Sequence, residues 1–112
     1  MSDIPRFTWV WPKLEKNQWG PRGWAWLHNT STKYPDSPQP HEAQFTFRRI
    51  WGFLTSLPCI ECREHAIAYA TEHPLNMTSS HTLQIWSWNF HNSVNTRIGK
   101  PVMSLAEYRK VY

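Results

Sequence analysis

The chain has 112 residues and carries 12 Lys and Arg against 8 Asp and Glu, a formal net charge of +4 with a pI near 9.3. That length gives one domain with a real core. The positive residues are scattered without a Lys/Arg run, which argues against a nucleic-acid partner while leaving room for a phosphate-bearing cofactor.

No apolar stretch can span a bilayer, and the start shows no signal-peptide pattern. Two cysteines cannot build a secreted disulfide framework. The expectation is a protein without a membrane segment, in a reducing compartment or making its own oxidising chemistry. Eight Trp supply an unusual amount of flat aromatic surface, suited to a core, an interface or a planar ligand.

Residues 1–18 hold Pro5 and Pro12 with Phe7, Trp9 and Trp11 between them, and read as an extended arm, either packed on the body or a second subunit or disordered. The remaining residues, 19–112, form the domain. Trp19 to Pro21 lead into a first helix with Pro21 near its first turn. There Trp24, Leu27, His28 and Ser31 follow the i, i+3, i+4, i+7 rule and share a face. A histidine on such a stripe is either a satisfied core residue or a ligand contact. Tyr34-Pro35-Asp36-Ser37-Pro38 stops the helix.

A second helix is expected over about 41–57, with Phe47, Ile50, Trp51 and Leu54 buried. It delivers the chain to LPCIEC, residues 57–62, which holds both cysteines. Cys59 and Cys62 open a third helix that runs to about His73, with Ala66, Tyr69 and Ala70 inward and Pro74 ending it. N–H groups at a helix start favour a thiolate, and three-residue spacing allows a small disulfide ring to close and reopen. The residues alone leave other readings open. They include half a zinc site completed by His65 with His73 or His91, and two inert buried thiols. A thioredoxin-like motif would need a preceding strand, and the flanks look helical.

After the loop 75–80, with Ser79 or Ser80 as N-cap, a fourth helix covers about 81–98. Leu83, Trp86, Phe90, Val94 and Ile98 form its buried stripe, and Trp88, His91 and Asn95 share a neighbouring strip. Gly99 is a C-cap residue with Pro101 beyond it, and a short last helix covers about 104–112. No strand alternation or repeat appears, so the fold class is all-α, a small bundle of four main helices plus a short C-terminal one.

WGPRGWAWLH (19–28), YPDSP (34–38), LPCIEC (57–62) and FHNSVNTRIGKP (90–101) together resemble the Erv/ALR family of FAD-linked sulfhydryl oxidases, over about residues 19–112. The resemblance implies a helical homodimer holding FAD beside the CxxC, with no metal. It implies that Cys62 is the flavin-proximal thiolate and Cys59 the thiol that exchanges disulfides with incoming protein dithiols. Dioxygen is the final acceptor and hydrogen peroxide the product. Gly20, Trp24 and His28 match cofactor positions on the first helix. Trp88, His91, Asn92, Val94, Asn95 and Lys100 match those of the fourth helix and its end, with Lys100 a phosphate counter-charge. Tyr108 and Tyr112 match loosely, as closers of the pocket.

The second cysteine pair and the tail-borne shuttle CxxC of many relatives are missing here. Electrons would therefore come from client proteins or a separate thiol carrier. Short single-CxxC forms of this kind are similar to those of large cytoplasmic DNA viruses such as asfarviruses, which implies the host cytoplasm, the virus factory or the virion as location. Two competing classes are a zinc-stabilised helical module that binds a protein partner through the arm, and an aromatic scaffold without a cofactor.

Overall fold

Helix boundaries in this protein are set by side chains that satisfy the backbone groups each helix end leaves open. The computed structural model describes the backbone of residues 16–111 and the side chains of 19–111. Residues 1–15, most of the expected arm, and Tyr112 lie outside the described residues. Five helices follow in order: α1 (Lys16–Lys33), α2 (Pro40–Thr55), α3 (Ile60–Glu72), α4 (Ser80–Arg97) and α5 (Leu105–Val111). There is no strand among the described residues.

α2 starts on Pro40, whose missing N–H is unneeded there, and Glu42 accepts from the Gln39 N–H at 2.9 Å. α4 starts with a reciprocal pair: the Thr82 N–H donates to Ser79 Oγ at 3.1 Å, and the Ser79 N–H donates to Thr82 Oγ1 at 3.0 Å. Its other end is a full Schellman motif. Lys100 N–H bonds Asn95 O at 2.8 Å and Gly99 N–H bonds Thr96 O at 3.3 Å, with Gly99 at φ 77°.

α1 packs chiefly against α4, α2 against α3 and α5 against α4. The α1–α4 contact is close because small hydroxyls face each other. Ser31 Oγ and Ser87 Oγ lie 2.6 Å apart, both fully buried, each also near its own i−4 carbonyl. Ser80 Oγ then donates toward Ser31 O at 2.9 Å and Thr32 O at 3.2 Å, so the start of α4 covers open carbonyls at the end of α1. Around this seam Leu27, Ile50, Leu54 and Leu83 are wholly buried, each contributing about 1.5–3 kcal/mol.

The structure differs from the sequence expectation at three places. α1 begins at Lys16, inside the stretch read as an arm, and Pro21 lies within it. Near a helix start proline forfeits a single backbone bond, its φ suits the helix, and its ring is exposed here. On α2 burial gathers in the C-terminal half, at Ile50, Phe53, Leu54 and the following Leu57. Phe47 is 40% exposed and lies flat beside Trp51. Ile98, expected to end the α4 stripe, is 42% exposed because it is the C-cap, where the chain leaves the helical path.

These burials separate two positions of one predicted stripe. Leu83→Ala should cost about 2–5 kcal/mol of unfolding free energy in urea titration. Ile98→Ala should cost less than about 1 kcal/mol. Equal losses would contradict the packing described.

Candidate active site

Residue 59 is where the backbone turns into α3, and its side chain takes the place of a capping oxygen. Cys59 is the N-cap, in extended conformation, and its sulfur accepts the Cys62 N–H at 3.2 Å. Cys62 therefore stands in the first turn, where open N–H groups and the helix dipole favour negative charge. Both cysteines are half-buried. From the far end of α4, Arg97 Nη2 donates to Cys62 Sγ at 3.7 Å.

Cys62 lies on the wall of a cavity of about 850 Å³, and Cys59 is not on that wall. The first half of α1 contributes Trp19, Gly20, Pro21, Gly23 and Trp24. α2 and the link that follows it give Phe53 and Leu57, and α3 adds His65. α4 gives Phe90, His91, Val94, Asn95 and Arg97, and the segment after it runs from Ile98 through Lys100 to Met103. The wall is chiefly apolar, with cations near the end of α4.

Flat rings are stacked on the wall and behind it. Trp24 and His91 are parallel, with centroids 3.7 Å apart and planes 9° apart. His28 Nε2 and His91 Nδ1 are 3.1 Å apart, and Tyr108 meets the His28 ring edge-on at 3.9 Å. One ring nitrogen must donate and the other accept, so at least one of the two rings is neutral. Burial first and His91 second pull His28 down to about 3; burial first and Lys100 second pull His91 down to about 4.

The residues singled out in the sequence fall into two layers. Gly20, Trp24, Cys62, His91, Val94, Asn95 and Lys100 line the cavity. His28, Trp88, Asn92 and Tyr108 stand off its wall. Asn92 Nδ2 donates to Met103 O and its Oδ1 accepts from Met103 N–H, both at 2.8 Å, while Trp88 Nε1 donates to the same carbonyl at 2.8 Å. These side chains thus fix the segment that forms one side of the cavity.

Sequence reasoning missed Arg97, Phe53 and His65 as wall residues. His65, at i+3 from Cys62, was legible from helical spacing. It bonds Ser93 Oγ at 2.8 Å and is held below its usual value by burial and then by Arg97. Arg97 is 35 residues from Cys62, beyond any local pattern. The zinc reading meets a direct obstacle: no group of three His, Cys, Asp or Glu among the described residues could hold a metal ion.

An all-helical chain that aims one cysteine of a helix-capped CxxC into an aromatic, cation-edged cavity belongs to the class of helical thiol–disulfide proteins built around a large planar ligand site. A family comparison agrees, with the Erv1 / Alr family profile matching residues 21–112. The chain belongs to the Erv1 / Alr family. It is 39% identical to the FAD-linked sulfhydryl oxidase of African swine fever virus over 94 residues, covering 84% of this chain and 79% of that protein. It is 30% identical to the FAD-linked sulfhydryl oxidase ERV1 of Oryza sativa subsp. japonica, covering 80% of this chain and 46% of that one. Among solved structures, the FAD binding domain of Erv1 from Saccharomyces cerevisiae superposes with a TM-score of 0.81 at 25% identity. That match covers 87% of this chain and 92% of the domain.

The histidine seam makes the fold acid-sensitive. Both folded values lie below the unfolded value near 6.5, so between about pH 6.5 and 4 the unfolded chain binds more protons. Stability is complete above about pH 6.5 and falls with pH below it, by up to about 1.4 kcal/mol per pH unit for each histidine. The urea midpoint should therefore drop between about pH 7 and pH 5, and His28→Phe should flatten that drop. An unchanged slope in the variant would remove this seam as the acid-labile element.

Proposed function

We propose that this chain is an FAD-linked thiol oxidase that makes disulfides in protein substrates through Cys59 and Cys62. The observation that carries the reading is the placement of the pair: Cys62 is on the cavity wall, and Cys59 caps the helix off that wall. One sulfur can meet a substrate while the other meets a cofactor. A volume of about 850 Å³ lies within the range of cofactor sites. The Trp24–His91 stack suits a planar ring system, and Lys100 suits a diphosphate. The relatives' names support the same cofactor.

In the oxidised enzyme the two sulfurs are bonded. A substrate thiolate attacks Cys59 Sγ, the Cys59–Cys62 bond breaks, and its electron pair leaves on Cys62 Sγ. A second substrate thiol attacks the mixed disulfide and leaves as the substrate disulfide, with Cys59 released. Bound FAD, which the residues of the cavity wall would hold, would supply the two-electron acceptor for the reduced pair and the link to dioxygen, with hydrogen peroxide as product. The α3 N-terminus favours negative charge on Cys62, and Trp24, His91, Val94 and Asn95 position the cofactor. Behind them His28 and Tyr108 fix His91, while Trp88 and Asn92 fix the segment ending at Met103. Tyr112 belongs to the same proposed site by its match to the family pattern.

The working unit is a homodimer, a reading supported by large apolar side chains left exposed on α2, Phe45 at 60% and Phe47 at 40%. Electrons come from client proteins or a separate thiol carrier. The place of action is the cytoplasm of an infected cell, as the viral relatives suggest. Among the described residues no helix is long and apolar enough to cross a membrane.

Purified protein should show flavin absorption bands and take up oxygen when dithiothreitol is added in air. A colourless protein that consumes no oxygen even after incubation with FAD would overturn the proposal. Cys62→Ser should reduce dithiol oxidation to background, and normal turnover would remove Cys62 from its role. His91→Ala should weaken flavin retention by about tenfold or more, roughly 1.4 kcal/mol, in a filtration assay. Full flavin content in that variant would take His91 out of the site.

A further inference from the structure

Arg97 is the last residue of α4, and its guanidinium crosses to the first turn of α3 to donate to Cys62 Sγ at 3.7 Å. Its location is electrostatically favourable, because a cation suits the C-terminal end of a helix. The side chain also lines the cavity, so it stands where the Cys62 sulfur and a bound ligand would both be within reach. We infer that Arg97 is a positioning residue for disulfide exchange, holding Cys62 as the thiolate that is released when a substrate opens the Cys59–Cys62 bond.

This inference rests on the thiol-oxidase reading and adds a group to it. When the substrate sulfur bonds to Cys59, the electron pair of the broken bond stays on Cys62. That anion needs a hydrogen-bond donor, and no proton has to be supplied to it. Arg97 supplies that donor through a planar, permanently charged fork, and the positive end of the α3 dipole favours the charge from the first turn. A better-stabilised leaving thiolate makes the disulfide a stronger oxidant toward client thiols.

Other titratable groups share that wall. His65 and His91 are kept neutral by burial, with the positive charges of Arg97 and Lys100 opposing their protonation. Lys100 and Glu107 carry opposite charges, and on α3 itself Glu61 and Glu64 oppose Arg63. Among the described side chains, those that α1 and α2 bring to the wall are uncharged. Arg97 thus brings a permanent positive charge to the Cys62 sulfur.

The test uses full-length protein as purified with its flavin and with Cys59→Ser, so that Cys62 is the only thiol. Its rate of alkylation by iodoacetamide is followed against pH. Arg97→Gln should raise the midpoint of that profile by roughly 0.5–1 pH unit. Arg97→Lys should restore part of the shift, and about 1 M salt should shrink it because the guanidinium is exposed. In otherwise wild-type protein, Arg97→Gln should make the Cys59–Cys62 disulfide harder to reduce in a dithiothreitol redox titration. An unchanged midpoint with an unchanged redox titration overturns the inference. So does an unchanged midpoint accompanied by flavin loss, which would make Arg97 a cofactor contact. The alkylation profile is read on the sulfur itself. A parent protein without flavin or oxygen uptake would sink the oxidase reading and leave this measurement standing.

Discussion

The arrangement depends on how closely α1 and α4 approach. Two serines touch at 2.6 Å across the seam, and one turn toward the cavity the two histidines bond at 3.1 Å. Buried polar pairs of this kind contribute little net energy but penalise any other alignment heavily, because each group would then lose its partner in an apolar surrounding. A slip of α1 along α4 by one turn would break both pairs, and toward the start of α4 it would set Ser31 against Leu83, which cannot answer it. The seam therefore fixes the register, and the register places Trp24 flat against His91 at the cavity.

Everything chemical then happens where helix ends meet. α3 brings its N-terminus and Cys62, α4 brings its C-terminus with Arg97, and the Gly99 turn redirects the chain so that Lys100 follows onto the same wall. A positive helix end, a guanidinium and an ammonium thus gather around one cavity. This gathering gives a protein of modest net charge a concentrated local field.

Much of this was legible before any coordinates. Pro58, Pro74, Ser79 and Gly99 punctuate the chain where α2, α3 and α4 start or stop, since each has a stated effect on the backbone. The stripe Trp24, Leu27, His28 and Ser31 gave the inner face of α1 because helical spacing is a local property. What was not legible depended on distant pairings or on context. Pro21 was read as a start signal, although a helix tolerates it near its first turns. Phe53 was passed over for Phe47 because both fit an aromatic face, and only the position of α2 against its neighbours decides which is covered. The meeting of Arg97 with Cys62 joins two helix ends that no sequence period connects. The layering of the candidate site was hidden for the same reason: wall and backing residues alternate on one helix, and spacing alone does not rank them.

The side chain of Asn92 pairs with both the N–H and the C=O of Met103, the two bonds that a neighbouring β-strand would make. In a chain whose described residues contain no sheet, one amide does the work of a ladder rung and keeps an otherwise irregular segment in place. That substitution of side chain for strand makes the spot chemically exacting. Aspartate has nearly the same shape, yet it would keep only the bond it accepts and turn its second oxygen against the Met103 carbonyl, so a change of one atom would unfasten a side of the cavity.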